Sequence, residues 1–75
     1  MINFDDYIQF VYGLTQECFV HTDLNLNEEK TAYIATLEFM GTQSVSRIEN
    51  DLLERGFTRV QEEKLIYQIQ IVLSE

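Results

Sequence analysis

Apolar residues along this 75-residue chain follow two rhythms, one of three to four residues and one of two. Near the front, Phe4, Tyr7, Ile8 and Val11 keep the spacing of one helix face. Asn3 stands where an N-cap would sit. Asp5 and Asp6 fall in the first turn, where the positive end of the helix dipole favours acids. Gly13 is the predicted stop. A strand is the competing reading, since Tyr7–Tyr12 is rich in aromatic and β-branched residues. The helical spacing is preferred.

Period two then takes over. Glu17–Leu24 predicts a strand with Cys18, Val20 and Thr22 on one face and Phe19 and His21 on the other. Asn25–Lys30 is a polar loop. Thr31–Phe39 alternates more cleanly, with Tyr33, Ala35, Leu37 and Phe39 inside and Thr36 and Glu38 outside. So short a loop cannot carry a crossover, so these strands should form an antiparallel hairpin.

Between Thr42 and Leu73 periodicity, capping and breaker all agree. Gly41 and Thr42 break the strand, and a helix is predicted over about Gln43–Arg55. Val45, Ile48 and Leu52 line its inner face, widened by Leu53, while Arg47, Asn50, Asp51 and Glu54 line the outer one. Arg47–Asp51 and Asp51–Arg55 are four apart and add a few tenths of a kcal/mol each. Thr42 or Ser44 could cap it, and Ser46 with Glu49 fits a capping box. Gly56 supplies the left-handed residue that ends many helices. Phe57–Gln61 and Lys64–Leu73 follow as strands. In the second, Leu65, Tyr67, Ile69, Ile71 and Leu73 alternate with Gln68 and Gln70. A turn of two, three or four residues would join them, and its length sets which face is buried.

The order is helix–strand–strand, twice, without a residue-level repeat. It predicts one α+β domain over residues 1–75: a two-layer sandwich, with a four-stranded antiparallel sheet and both helices on its apolar face.

Composition narrows the function classes. Nine aromatics, no Pro and three Gly exclude a disordered chain or long linkers. Thirteen acids against five bases give a net charge of −8, which disfavours nucleic-acid phosphates and anionic membranes as direct partners. No apolar run approaches the roughly 20 residues of a membrane span, and the front lacks a signal-peptide pattern. A lone Cys18 excludes an internal disulfide and suits a cytoplasmic location.

Catalytic and metal motifs fail on chemistry. Asp23-Leu-Asn25-Leu-Asn27 opens like a calcium loop, but Glu28 and Ile34 occupy the positions that need Gly and Glu. Cys18 and His21 are three apart in a strand and point to opposite faces, with no second Cys or His to complete a site. Cys18 is expected to be a small buried hydrophobe. There is no phosphate-cradling Gly loop. No cofactor, metal or catalytic residue is therefore expected, and no enzymatic activity.

Ala32–Phe39, then a helix, then Gly56-Phe57-Thr58-Arg59-Val60-Gln61, resembles the first half of the ferredoxin-like virulence-associated protein D and CRISPR-adaptation nuclease families. The resemblance spans residues 32–67. It implies a dimeric, ribonuclease-like domain with an acidic residue near the end of the first strand. Glu38 falls near that place, where those families carry Asp. The second helix and last strand of their fold are absent, and the chain begins with a helix instead.

The preferred expectation is a small acidic protein that occupies a basic surface of another protein. Concretely this would be an inhibitor such as a phage- or plasmid-encoded anti-CRISPR or anti-defence protein, or an antitoxin, which could mimic nucleic acid. Glu28, Glu29, Asp51, Glu54, Glu62 and Glu63 would steer the encounter, and Tyr12 with a strand tyrosine would anchor it. The alternatives are a structural homodimer joined through sheet edges or the polar sheet face, and a minimal ferredoxin-like ribonuclease.

Overall fold

The computed structural model describes residues 2–40, 46–61 and 63–72. In chain order its elements are α1 (Phe4–Glu17), β1 (Val20–Leu26), β2 (Ala32–Phe39), α2 (Ser46–Glu54), β3 (Thr58–Arg59) and β4 (Ile66–Val72). This is the α+β class and element order that the pattern predicts.

Asn3 caps α1: its Oδ1 accepts the Asp6 N–H at 2.8 Å. The helix does not stop at Gly13 but runs to Glu17. An interior Gly costs about 1 kcal/mol relative to Ala. Tyr7, Phe10, Val11 and Leu14 keep their spacing across it and reach the core. Burying one Leu side chain is worth about 1.5–3 kcal/mol, so packing outweighs the glycine. The helix takes residues expected in β1. Cys18 is its C-cap, with its N–H on the Leu14 carbonyl at 2.8 Å.

β1 therefore starts at Val20 and extends to Leu26, beyond the expected end at Leu24. Asn27 closes the hairpin: its Oδ1 accepts the Thr31 N–H at 2.9 Å, and its Nδ2 donates to Thr31 Oγ1 at 3.1 Å. Lys30 takes the left-handed backbone that lets the turn close (φ 59°).

α2 ends as its sequence predicts. Gly56 has φ 105°, its N–H donates to Leu53 O, and the Phe57 N–H donates to Leu52 O. That hydrogen-bond pair is the Schellman motif, and the two residues it brings together, Leu52 and Phe57, are both buried. Leu53 does not widen the buried face and is half exposed. Thr42, Ser44, Val45 and Leu73 lie outside the described residues. β3 is shorter than the expected Phe57–Gln61. The Val60 N–H meets Ile66 O, and residues 60–65 lie between β3 and β4, a longer connection than expected. The faces of β4 still hold, with Tyr67, Ile69 and Ile71 buried.

The sheet order is β1-β2-β4-β3, and every neighbouring pair is antiparallel. β2 and β3 thus run parallel, joined by α2, with β4 between them. Placing α1–β1 after β4 would give β-α-β-β-α-β, the ferredoxin-like order. Buried residues of both helices share one core with Ala35, Leu37 and Phe39 of β2 and the inner residues of β4.

Tyr67 lies at the centre of that core, fully buried. Its ring meets Phe39 edge-on at 5.9 Å, and its hydroxyl donates to Glu49 Oε2 of α2 at 2.5 Å. Burial, the bond to Glu49 and the Glu49 charge push its pKa up to about 12, with Arg59 pulling the other way. Raised above the free value of roughly 10, this group contributes stability that is complete below pH 10 and lost as pH climbs through 12. Tyr67→Phe should cost about 1–2 kcal/mol in urea unfolding at neutral pH. Between about pH 9 and 12 the variant's stability should fall less steeply than the wild type's.

Two glycines should respond oppositely. A Cβ on Gly13 meets nothing within 4 Å, so Gly13→Ala should stabilise by about 0.5–1 kcal/mol. Gly56→Ala, forced into left-handed backbone, should destabilise by about 1–2 kcal/mol. Urea midpoints of the two variants measure both.

Candidate protein-docking face

α1 and α2 lie side by side on the sheet, and a groove of about 510 Å³ opens at their outer side. Gly13 contributes no side chain there, so the groove is notched into the middle of α1. Phe10, Leu14 and Ile48 supply its apolar lining, while Glu17, Asp51, Tyr12, Gln9 and Gln16 supply polar groups.

The groove's edge already holds a cation. The Arg55 guanidinium carbon sits 4.3 Å from the centre of the Phe10 ring, and Arg55 Nε donates to Asp51 Oδ1 at 3.1 Å. Phe10 is backed in turn by Phe57, ring centres 5.8 Å apart. An aromatic face plus a carboxylate is the arrangement that suits a guanidinium. Both partners of the Arg55–Asp51 pair remain well exposed, so water screens it and it adds little to stability.

Two of the expected partner-binding residues meet here. Tyr12, 69% exposed, and Asp51 both line the groove. Glu54 is exposed nearby on α2. The other acids are dispersed. Glu28 and Glu29 sit in the β1–β2 turn, and Glu63 sits in the β3–β4 connection, at the opposite end of β2. Eight residues of β2 at roughly 3.3 Å each separate the two ends. Glu62 lies outside the described residues. Of the strand tyrosines, Tyr67 is fully buried and unable to anchor a partner, and Tyr33 is partly buried.

Among the described residues no helix covers the sheet's other face. Gln68 Nε2 donates to Thr36 Oγ1 at 3.2 Å there, beside a shallow depression of about 410 Å³ lined by Ile34, Thr58, Gln68 and Gln70. Glu38 lies on this face, directly opposite His21 on one side and Ile66 on the other. Cys18 packs partly buried against the core, whereas His21 is exposed. Among the described residues no three His, Cys, Asp or Glu cluster so as to hold a metal ion. Tyr7 is buried over the core face, and burial, then the Asp23 charge, raises its hydroxyl pKa. No helix among the described residues is long and apolar enough to cross a membrane.

Sequence reasoning missed Phe10, Glu17 and the notch at Gly13. The available signal was Phe10 and Leu14, four apart across Gly13, which marks a helix continuing through the glycine. Compared with known proteins, the chain matches no family model, and neither curated sequences nor solved structures give a significant match.

Proposed function

We propose that this protein binds a basic surface of another protein and inhibits it by occupying that surface, with the α1–α2 groove as its anchor. The observation that carries this reading is Arg55, which stacks on Phe10 and pairs with Asp51. That pairing supports the reading, since a partner's arginine or lysine would be held by the same chemistry. Its aliphatic stem would lie along Leu14 and Ile48, with the charged head near Glu17, beside the Phe10–Asp51 site that Arg55 occupies. The dispersed acids and the net charge of −8 steer such a partner and speed its encounter. They also deter nucleic acid itself, so a basic nucleic-acid-binding cleft is the target class that fits best. An anti-CRISPR or other anti-defence protein, or an antitoxin, would work in this way.

An NMR titration with an arginine-rich peptide tests the anchor. Amide shifts should concentrate at Gly13, Glu17, Ile48 and Asp51. Shifts spread evenly over Glu28, Glu29 and Glu63 instead would mean diffuse charge attraction with no anchor. Gly13→Phe fills the notch from an exposed helix position and should weaken binding about tenfold, equivalent to about 1.4 kcal/mol. Asp51→Lys should weaken it at least as much, and both losses should shrink as salt is raised.

A further inference from the structure

We infer that β1 is a self-pairing edge through which two copies of this chain form one continuous eight-stranded sheet. β1 is the outermost strand on its side, seven residues long, and no strand lies beyond it among the described residues. The opposite edge, β3, is only two residues long. A long flat edge left open is a template for pairing with another chain.

The backbone of β1 is set for this. Met40 N–H donates to Phe19 O, and Asn27 N–H donates to Ala32 O. With the printed register of β1 on β2, odd-numbered residues turn their N–H and C=O groups toward β2. Val20, Thr22, Leu24 and Leu26 therefore present theirs to the open side.

Charge selects the register of a twofold antiparallel pair. Centred on Asp23, it would set two carboxylates against each other at Cα atoms about 4.5 Å apart. Centred on Thr22, it sets His21 against Asp23 of the second copy, twice. On the core face it sets Val20 against Leu24, twice, and Thr22 against itself. An imidazole N–H can donate to a carboxylate whether or not the ring is charged.

The helix layer continues the interface. Phe10 faces Phe57, and Ile8 lies roughly 160° around α1 from it, toward the β1 side. Ile8 is 48% exposed, Phe4 43% and Leu26 47%. Phe4 meets Tyr33, the cross-strand neighbour of Leu26, so these side chains adjoin the open edge. A twofold axis through Thr22, perpendicular to the sheet, keeps both α1 helices on the same side and turns these flanks toward each other.

This surface is separate from the α1–α2 groove, and salt should act on the two in opposite directions. Two copies carry −8 each, so screening should tighten the dimer while it loosens a complex with a basic partner. Sedimentation equilibrium of the full chain should show a dimer. Thr22→Pro removes an N–H that faces the open edge, so the β1–β2 ladder is kept and the dissociation constant should rise at least tenfold. His21→Asp should weaken the dimer, and His21→Asp with Asp23→Lys should restore it. In a Cys18→Ala background, Thr22→Cys should cross-link to itself on oxidation, since the paired Cα atoms are about 5.5 Å apart. A wild-type chain monomeric at millimolar concentration overturns the inference. So does a dimer indifferent to Thr22→Pro, or, should that variant not fold, the failure of Thr22→Cys to cross-link.

Discussion

The contacts of Tyr67 hold this fold together. β4 lies between β2 and β3, and Tyr67 is its innermost side chain, touching Phe39 across the sheet and Glu49 in the helix above. A chain of 75 residues has roughly 4–11 kcal/mol of net stability to draw on. Burying one large aromatic and satisfying its hydroxyl supplies a sizeable fraction of that. The sheet, α2 and the short β3 all meet at this side chain. Among the described residues of α2, Leu52 and the partly buried Ile48 are the other side chains that pack into this core.

The central strands were legible because both of their faces carry a signal. Apolar and polar residues alternate over Ala35–Phe39 of β2 and Tyr67–Ile71 of β4, and only one register buries Ala35, Leu37, Tyr67, Ile69 and Ile71 together. The end of α2 was legible because Gly56 is the residue that left-handed backbone demands. Legibility failed at the junctions. Gly13 resembles a stop until the apolar residues on either side are counted as one face. Cys18 fits a strand by its neighbours, but it is the last residue to hydrogen-bond back into α1. β3 looked longer because Phe57 and Val60 suit a strand; Phe57 instead closes the helix, leaving two residues to pair.

The α1–α2 groove was half legible for the same reason. Tyr12 and Asp51 could be named as exposed types, but their meeting in one groove depends on α1 passing unbroken through Gly13. β2, α2, β3 and β4 form a split strand–helix–strand unit, and α1 and β1 precede it in the chain.

The sheet order also governs how the molecule can be made. β4 leaves the ribosome after both strands it separates, so β2 and β3 have no partner between them while the nascent chain is still emerging. Until β4 inserts, α1, β1 and β2 can form a helix-backed hairpin, but the layer under α2 has no centre. Its contacts join distant parts of the chain and come late, which slows folding relative to a helical bundle of this size. Synthesis thus yields the folded protein in one closing step instead of growing it strand by strand.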